Sequence, residues 1–247
     1  MIHSLPTYLL LDISFGIVWL LFLVNCKKLR SRLLKTSFYG GFFGLIAEQV
    51  WYFQDYWHPK SLFGVKVLSI EDFLFGFFVT GICATIYRAT ISKKWQHEAV
   101  KTQKGAYKIL FIVGTVCMVV LTTIYRINSI FSSSGIFLCF ALLISFLRKD
   151  LFIPSLASGI LTLLIVAPIY AILFNYFDSS FWETSWVLYK TQFDKKIGGN
   201  IPLTELLWYF SWGCFSGVSY DFVYGIASEK QENNKALNNA SALLKKS

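Results

Sequence analysis

Residues 69–88 read SIEDFLFGFFVTGICATIYR, and residues 202–221 read PLTELLWYFSWGCFSGVSYD. Each is an apolar, aromatic run long enough to cross a bilayer as a helix. Each opens on carboxylates: Glu71 and Asp72 in the first, Glu205 in the second. At one constant offset Asp72 aligns with Glu205, Phe77 with Phe210 and Tyr87 with Tyr220. An aromatic loop precedes each run, with Trp51, Tyr52, Tyr56 and Trp57 in one copy and Trp182, Trp186 and Tyr189 in the other. Before each loop lie two further apolar runs joined by a short basic turn, at 27–32 and at 148–149. The chain therefore reads as an internal repeat of three spans.

Working outward, seven apolar stretches can be marked, at about 5–25, 34–54, 70–88, 108–126, 129–147, 152–176 and 202–225. The 247 residues are 55% hydrophobic, 18% aromatic and 15% charged, against about a quarter charged in soluble domains. Disorder is excluded by the same aromatic and aliphatic content. The predicted fold is all-α, a polytopic integral membrane protein. Its seven transmembrane helices form two parallel three-helix repeats, joined by a linking helix. Residues 1–90 make the first repeat, 91–127 the linker and span four, 128–227 the second repeat, and 228–247 a polar, mobile cytoplasmic tail.

Charge sets the expected orientation. Lysines and arginines gather after span one (Lys27, Lys28, Arg30, Arg32, Lys35), between spans three and four (Arg88, Lys93, Lys94, Lys101, Lys104, Lys108), after span five and in the tail. The opposite side is poor in them, so the N-terminus is expected outside and the C-terminus in the cytoplasm of a cell (inner or plasma) membrane. The first span carries Asp12 and lacks a basic leader, so it reads as a retained span. A net charge of +9 spread over short tracts is not the single basic face of a nucleic-acid binder. Cys26, Cys83, Cys117, Cys139 and Cys214 are scattered, and His3, His58 and His97 lie far apart. That spacing predicts neither a disulfide framework nor a metal site, and each cysteine reads as a buried small hydrophobe.

The acids on the outer side gather near helix ends: Glu48 closes span two, Glu71 and Asp72 open span three, and Glu205 opens span seven. Capping explains part of this, since Ser69 followed by Asp72 is close to a capping box and acids suit a helix N-terminus. Two equivalent acidic starts in one membrane protein also suit general acid–base chemistry. Neighbouring carboxyls in a dry pocket divide into a proton donor and an ionised base. Trp and Tyr faces beside them would stabilise a carbocation. Asp12, Arg126 and Asp221 read as structural.

With these residues in place the chain resembles the small membrane-embedded lycopene cyclases, the heterodimeric or fused type without flavin. Members carry paired three-span units, each with a Pro-x-Glu-Glu/Asp motif followed by Leu and aromatics. Here 69–75 and 202–208 resemble the two copies. Ser69 stands where the first motif has Pro, and Thr204 where the second has its first Glu. Serine suits an N-cap, whereas Thr204 removes a carboxylate. The resemblance implies protonation of a terminal double bond of a linear carotenoid, ring closure of the cation and loss of a ring proton, with no cofactor or metal. It assigns catalysis to Glu71, Asp72 and Glu205, substrate contact to Trp51, Trp57, Phe75, Trp208 and Trp212, and secondary roles to Glu48 and Thr204. The expected partners are a lipid-soluble polyene taken from the bilayer and membrane lipids, with homo-oligomers allowed.

Two other classes compete. A retinal protein needs a Schiff-base lysine in span seven, and 202–227 has none. A small-solute or proton-coupled transporter with three-plus-one-plus-three repeats is the alternative, although the acids sit at helix starts and not at mid-depth. A membrane assembly factor using the same aromatic surface is a third reading.

Overall fold

The computed structural model describes residues 6–64, 68–92 and 101–227; the predicted tail, 228–247, lies outside the described residues. Seven long helices carry the architecture among the described residues: α1 (Thr7–Asn25), α2 (Arg30–Ala47), α3 (Ile70–Thr90), α4 (Lys104–Val119), α5 (Ser129–Leu147), α6 (Phe152–Ile172) and α7 (Leu203–Tyr224). One element order occurs twice. A helix leads through a 3-10 turn (Lys27–Leu29, then Lys149–Leu151) to a second helix, which ends in a π turn (Glu48–Tyr52, then Leu173–Phe177). An aromatic loop follows, and then a third helix. The two loops meet at the bridge between Trp57 and Trp186, flanked by His58 N–H donating to Ser185 O at 2.7 Å and Val187 N–H donating to Tyr56 O at 2.8 Å.

Local sequence explains where the helices begin and end. Ser69 and Asp72 form the reciprocal capping box at the start of α3, which satisfies two N–H groups left over by the first turn. Asn128 caps α5 through its side chain. Asp55, in the first aromatic loop, also accepts from the Ser129 N–H at 2.9 Å and the Ser129 hydroxyl at 2.6 Å, tying the two units together. A two-residue hairpin, β1 (Lys196–Ile197) with β2 (Ile201–Pro202), turns through Gly198 and Gly199 at positive φ and feeds α7. The last helix ends on Gly225 in the left-handed conformation (φ 65°).

Five helical segments are long and apolar enough to cross a membrane: Thr7–Asn25, Ile70–Thr90, Lys104–Ile124, Ser129–Leu147 and Lys149–Phe177. The sequence predicted seven spans. The two remaining helices, α2 and α7, have the length, at 18 and 22 residues, but carry buried polar and charged groups that lower their hydropathy. α2 begins earlier than predicted, and Arg32, read as a loop residue, is buried inside it. Arg88, also read as a loop residue, lies in the last turn of α3 and is buried. Both meet Asp221 of α7: Arg32 Nη1 donates to Oδ1 at 2.5 Å and Arg88 Nε to Oδ2 at 3.1 Å. The remaining guanidinium donors reach the carbonyls of Ala84, Gly217 and Ala227. Outward faces are aliphatic, as with Ile13, Ile17, Leu20 and Val24 on α1. The cysteine reading needs one correction: Cys83 and Cys214 are buried, but Cys139 is exposed on an outward face and Cys26 and Cys117 are half-buried.

α2 packs on α3, α6 on α7, and α3 on α7. The α2–α3 crossing is close enough to need glycine on both sides. A Cβ placed on Gly76 would stand 2.4 Å from the Gly40 carbonyl oxygen, and one on Gly40 would stand 2.6 Å from the Gly76 carbonyl. Backbone cannot yield as a side-chain tip can. Gly76→Ala is therefore expected to separate the helices and destabilise the protein by about 1–3 kcal/mol or more, as overpacking does. Gly105→Ala, with open space around the new methyl, is expected to leave the thermal midpoint unchanged in the same melting experiment.

Candidate functional site

Residues from both units line a cavity of about 60 Å³ at the loop end of the bundle. Three carboxylates line it: Glu48 from the π turn after α2, Asp72 from the first turn of α3 and Glu205 from the first turn of α7. The rest is aromatic, with Tyr8, Trp57, Phe75, Trp208 and Trp212 among the walls. The π turn contributes directly. It carries Glu48 and Tyr52 to the cavity and turns Trp51 into an adjoining groove. Wide turns of this kind are frequent at functional sites.

Each acid has its own hydrogen-bond surroundings. Glu48 Oε1 accepts from Trp57 Nε1 at 2.7 Å. Asp72 Oδ1 accepts from the Tyr8 hydroxyl at 3.1 Å, while Oδ2 accepts from Gln49 Nε2 at 3.2 Å and the Ser69 N–H at 3.3 Å. Its capping and cavity roles therefore coincide. Glu205 sits in a cradle of phenols: Tyr56 donates to Oε1 at 2.5 Å and Tyr170 to Oε2 at 2.7 Å. Both phenol protons are then committed. The contacts of Tyr209 with Tyr170 (3.0 Å) and of Thr204 with Tyr56 (3.2 Å) follow with Tyr209 and Thr204 as donors. A directed chain of hydroxyls thus converges on Glu205 from both sides. Burial, with the Glu205 carboxyl beside it, lifts the Tyr56 phenol well above its ordinary range and keeps it a donor.

The structure distributes the residues singled out from sequence as follows. Asp72, Glu205, Trp57, Phe75, Trp208, Trp212 and Glu48 share the cavity. Glu71 does not line it; its Oε1 accepts from the Leu62 N–H at 2.5 Å, bracing the loop that leads into α3. Trp51 faces the neighbouring groove, and Thr204 lies behind Tyr56. Sequence reasoning missed Tyr8, Gln49, Tyr170 and Tyr209 as partners of the acids. Tyr56 was noted only as part of an aromatic loop, and Tyr170 and Tyr209 lay inside apolar runs where a tyrosine reads as packing. Among the described residues no group of three His, Cys, Asp or Glu side chains is placed to hold a metal ion. The three acids are held by phenol, indole and amide donors between aromatic faces.

Several long apolar helices around an aromatic chamber lined by carboxylates define a membrane protein with a polar site inside its bundle. The chain belongs to the lycopene cyclase family: the family model matches residues 6–90 and 128–223. The two matched segments coincide with the two three-helix units and leave out α4. No curated protein and no solved structure matches the chain.

Proposed function

We propose that this chain is a carotenoid cyclase that closes an ionone ring on a linear, lycopene-type polyene. The observation that carries the reading is the single aromatic chamber in which Asp72 and Glu48 from one unit face Glu205 from the other. The Asp72–Glu48 pair supplies a proton to the terminal double bond. The resulting tertiary cation is attacked by the neighbouring internal double bond, forming the ring carbon–carbon bond. Trp57, Phe75, Trp208 and Trp212 present π faces to the charge. Glu205, whose two oxygens each accept from a phenol, takes the ring proton. One proton enters and one leaves, so the product is an isomer of the substrate and no electrons are transferred.

In this reading all seven long helices cross the membrane, the polar faces of α2 and α7 being turned into the bundle. The N-terminus lies outside and the C-terminus in the cytoplasm. Residues 1–90 and 128–227 act as parallel repeats, 91–127 joins them, and the polyene arrives sideways from the lipid. The test is expression in a bacterial host that accumulates lycopene, with the extracted pigments resolved by chromatography. Ringed products support the proposal, and unchanged lycopene beside correctly inserted protein overturns it.

The two acids of the first motif should separate in the same assay. Asp72→Asn removes a chamber carboxyl and is expected to lower ring formation by about a hundredfold or more. Glu71→Gln keeps an oxygen for the Leu62 N–H and is expected to retain most of the activity. Equal loss in both would return Glu71 to the chemistry.

A further inference from the structure

The acid chamber is too small for more than the end of a long polyene, and a second cavity continues from it. This groove, of about 670 Å³, runs between α2, α4, α5 and α7. The two cavities share walls, including Gly40, Phe43, Ala47, Tyr52, Phe137 and Trp212. Along α2 and the π turn that follows it, the groove is lined from Lys35 to Trp51, a helical rise of about 24 Å. Its surface is mainly aliphatic and aromatic, with isolated hydroxyls such as Thr115 and Ser219. At the end away from the acids, Lys35 and Lys104 flank the Tyr224 ring, their Nζ atoms 5.7 and 5.5 Å from its centroid. The groove is therefore long, narrow in polarity and closed by charge only where the bundle meets water.

We propose that this groove holds the distal chain of the polyene whose terminal double bond lies in the acid chamber, and that α4 forms its outer wall. The proposal rests on the cyclase reading and names where the rest of that substrate is bound. Continuity decides the occupant. An acyl chain of a resident lipid would fit the apolar lining alone. A single long hydrocarbon reaching from the water-facing lysines to the carboxylates uses both cavities at once. α4 lies between the two matched family segments, so this wall belongs to the chain's own linker.

Thr115 and Ser219 are suitable positions for obstruction. The Thr115 hydroxyl bonds the Phe111 carbonyl of its own helix; the Ser219 hydroxyl bonds the Phe215 carbonyl and also the Tyr107 phenol of α4, a bond whose loss Ser219→Ala reads without obstruction. Wild type, Thr115→Trp, Ser219→Trp and the outward-facing control Phe146→Trp (76% exposed) would be expressed in the lycopene-accumulating host. Ringed product in the extract and carotenoid retained by the purified protein would both be measured. Thr115→Val and Ser219→Ala, with a thermal midpoint for every variant, separate obstruction from misfolding. The expected result is a loss of about tenfold in both ringed product and retained carotenoid for the two tryptophan variants. The Phe146→Trp control should match wild type, and the two small substitutions should lose far less product and pigment than the tryptophan variants.

Unchanged product and unchanged pigment in both tryptophan variants overturn the groove. So does a loss of product with pigment still retained. If wild type forms no ring yet retains lycopene that the tryptophan variants lose, the groove stands and the cyclase reading falls. If wild type neither converts nor retains lycopene, both fall, and phospholipid measured in the purified protein identifies the acyl-chain occupant.

Discussion

Glu205→Gln is expected to reduce ring formation by about a hundredfold or more at equal protein level, the usual scale for removing a positioned acid or base. The reasoning concerns donors as well as charge. Tyr56 and Tyr170 each point a proton at one Glu205 oxygen, and a glutamine offers only one acceptor. Its amide nitrogen would face a phenol O–H, so the cradle must rearrange as well as lose its base. Tyr170→Phe should cost less, because Oε1 keeps its bond to Tyr56. Chromatography of pigments from the lycopene-accumulating host reads both. A Glu205→Gln protein that is stably inserted and still forms rings would remove Glu205 from the chemistry.

Asp221→Ala is the substitution expected to do most harm without touching the chamber. It leaves Arg32 and Arg88 buried with no counter-charge, at about 3–5 kcal/mol by comparison with other broken buried ion pairs. The carbonyls of Ala84, Gly217 and Ala227 would still accept from the guanidinium groups but cannot neutralise them. The measurement is the thermal midpoint and yield of the purified protein, with the exposed Lys27→Ala as reference. A midpoint equal to wild type would show that the pair contributes nothing to stability.

Much of the fold was legible because bilayer-length apolar runs and basic turns are strong one-dimensional signals. The helix start at Ser69 also follows from local capping chemistry. Arg32 and Arg88 were misplaced as loop residues because orientation rules count a charge without its partner, and Asp221 is distant in sequence from both. The site was half legible. Aligned carboxylates pointed to Asp72 and Glu205, but the same logic favoured Glu71, whose side chain turns to a loop N–H. The phenols of Tyr170 and Tyr209 were invisible, since periodicity does not distinguish a packed tyrosine from a hydrogen-bonding one. Thr204, a missing carboxylate in the motif, holds the outer end of the hydroxyl chain to Glu205.

The strand-like pairing of Trp57 with Trp186 joins the two aromatic loops into one covering over the acids. If the chain is the proposed cyclase, a covering stitched across both units sets the acids apart from the aqueous side and makes the lipid the solvent from which the polyene is drawn. Turnover in such a protein depends on the mole fraction of polyene among the surrounding lipids and not on its amount per volume of water. Diluting the bilayer with inert lipid would slow it even while the total quantities of protein and polyene stayed constant.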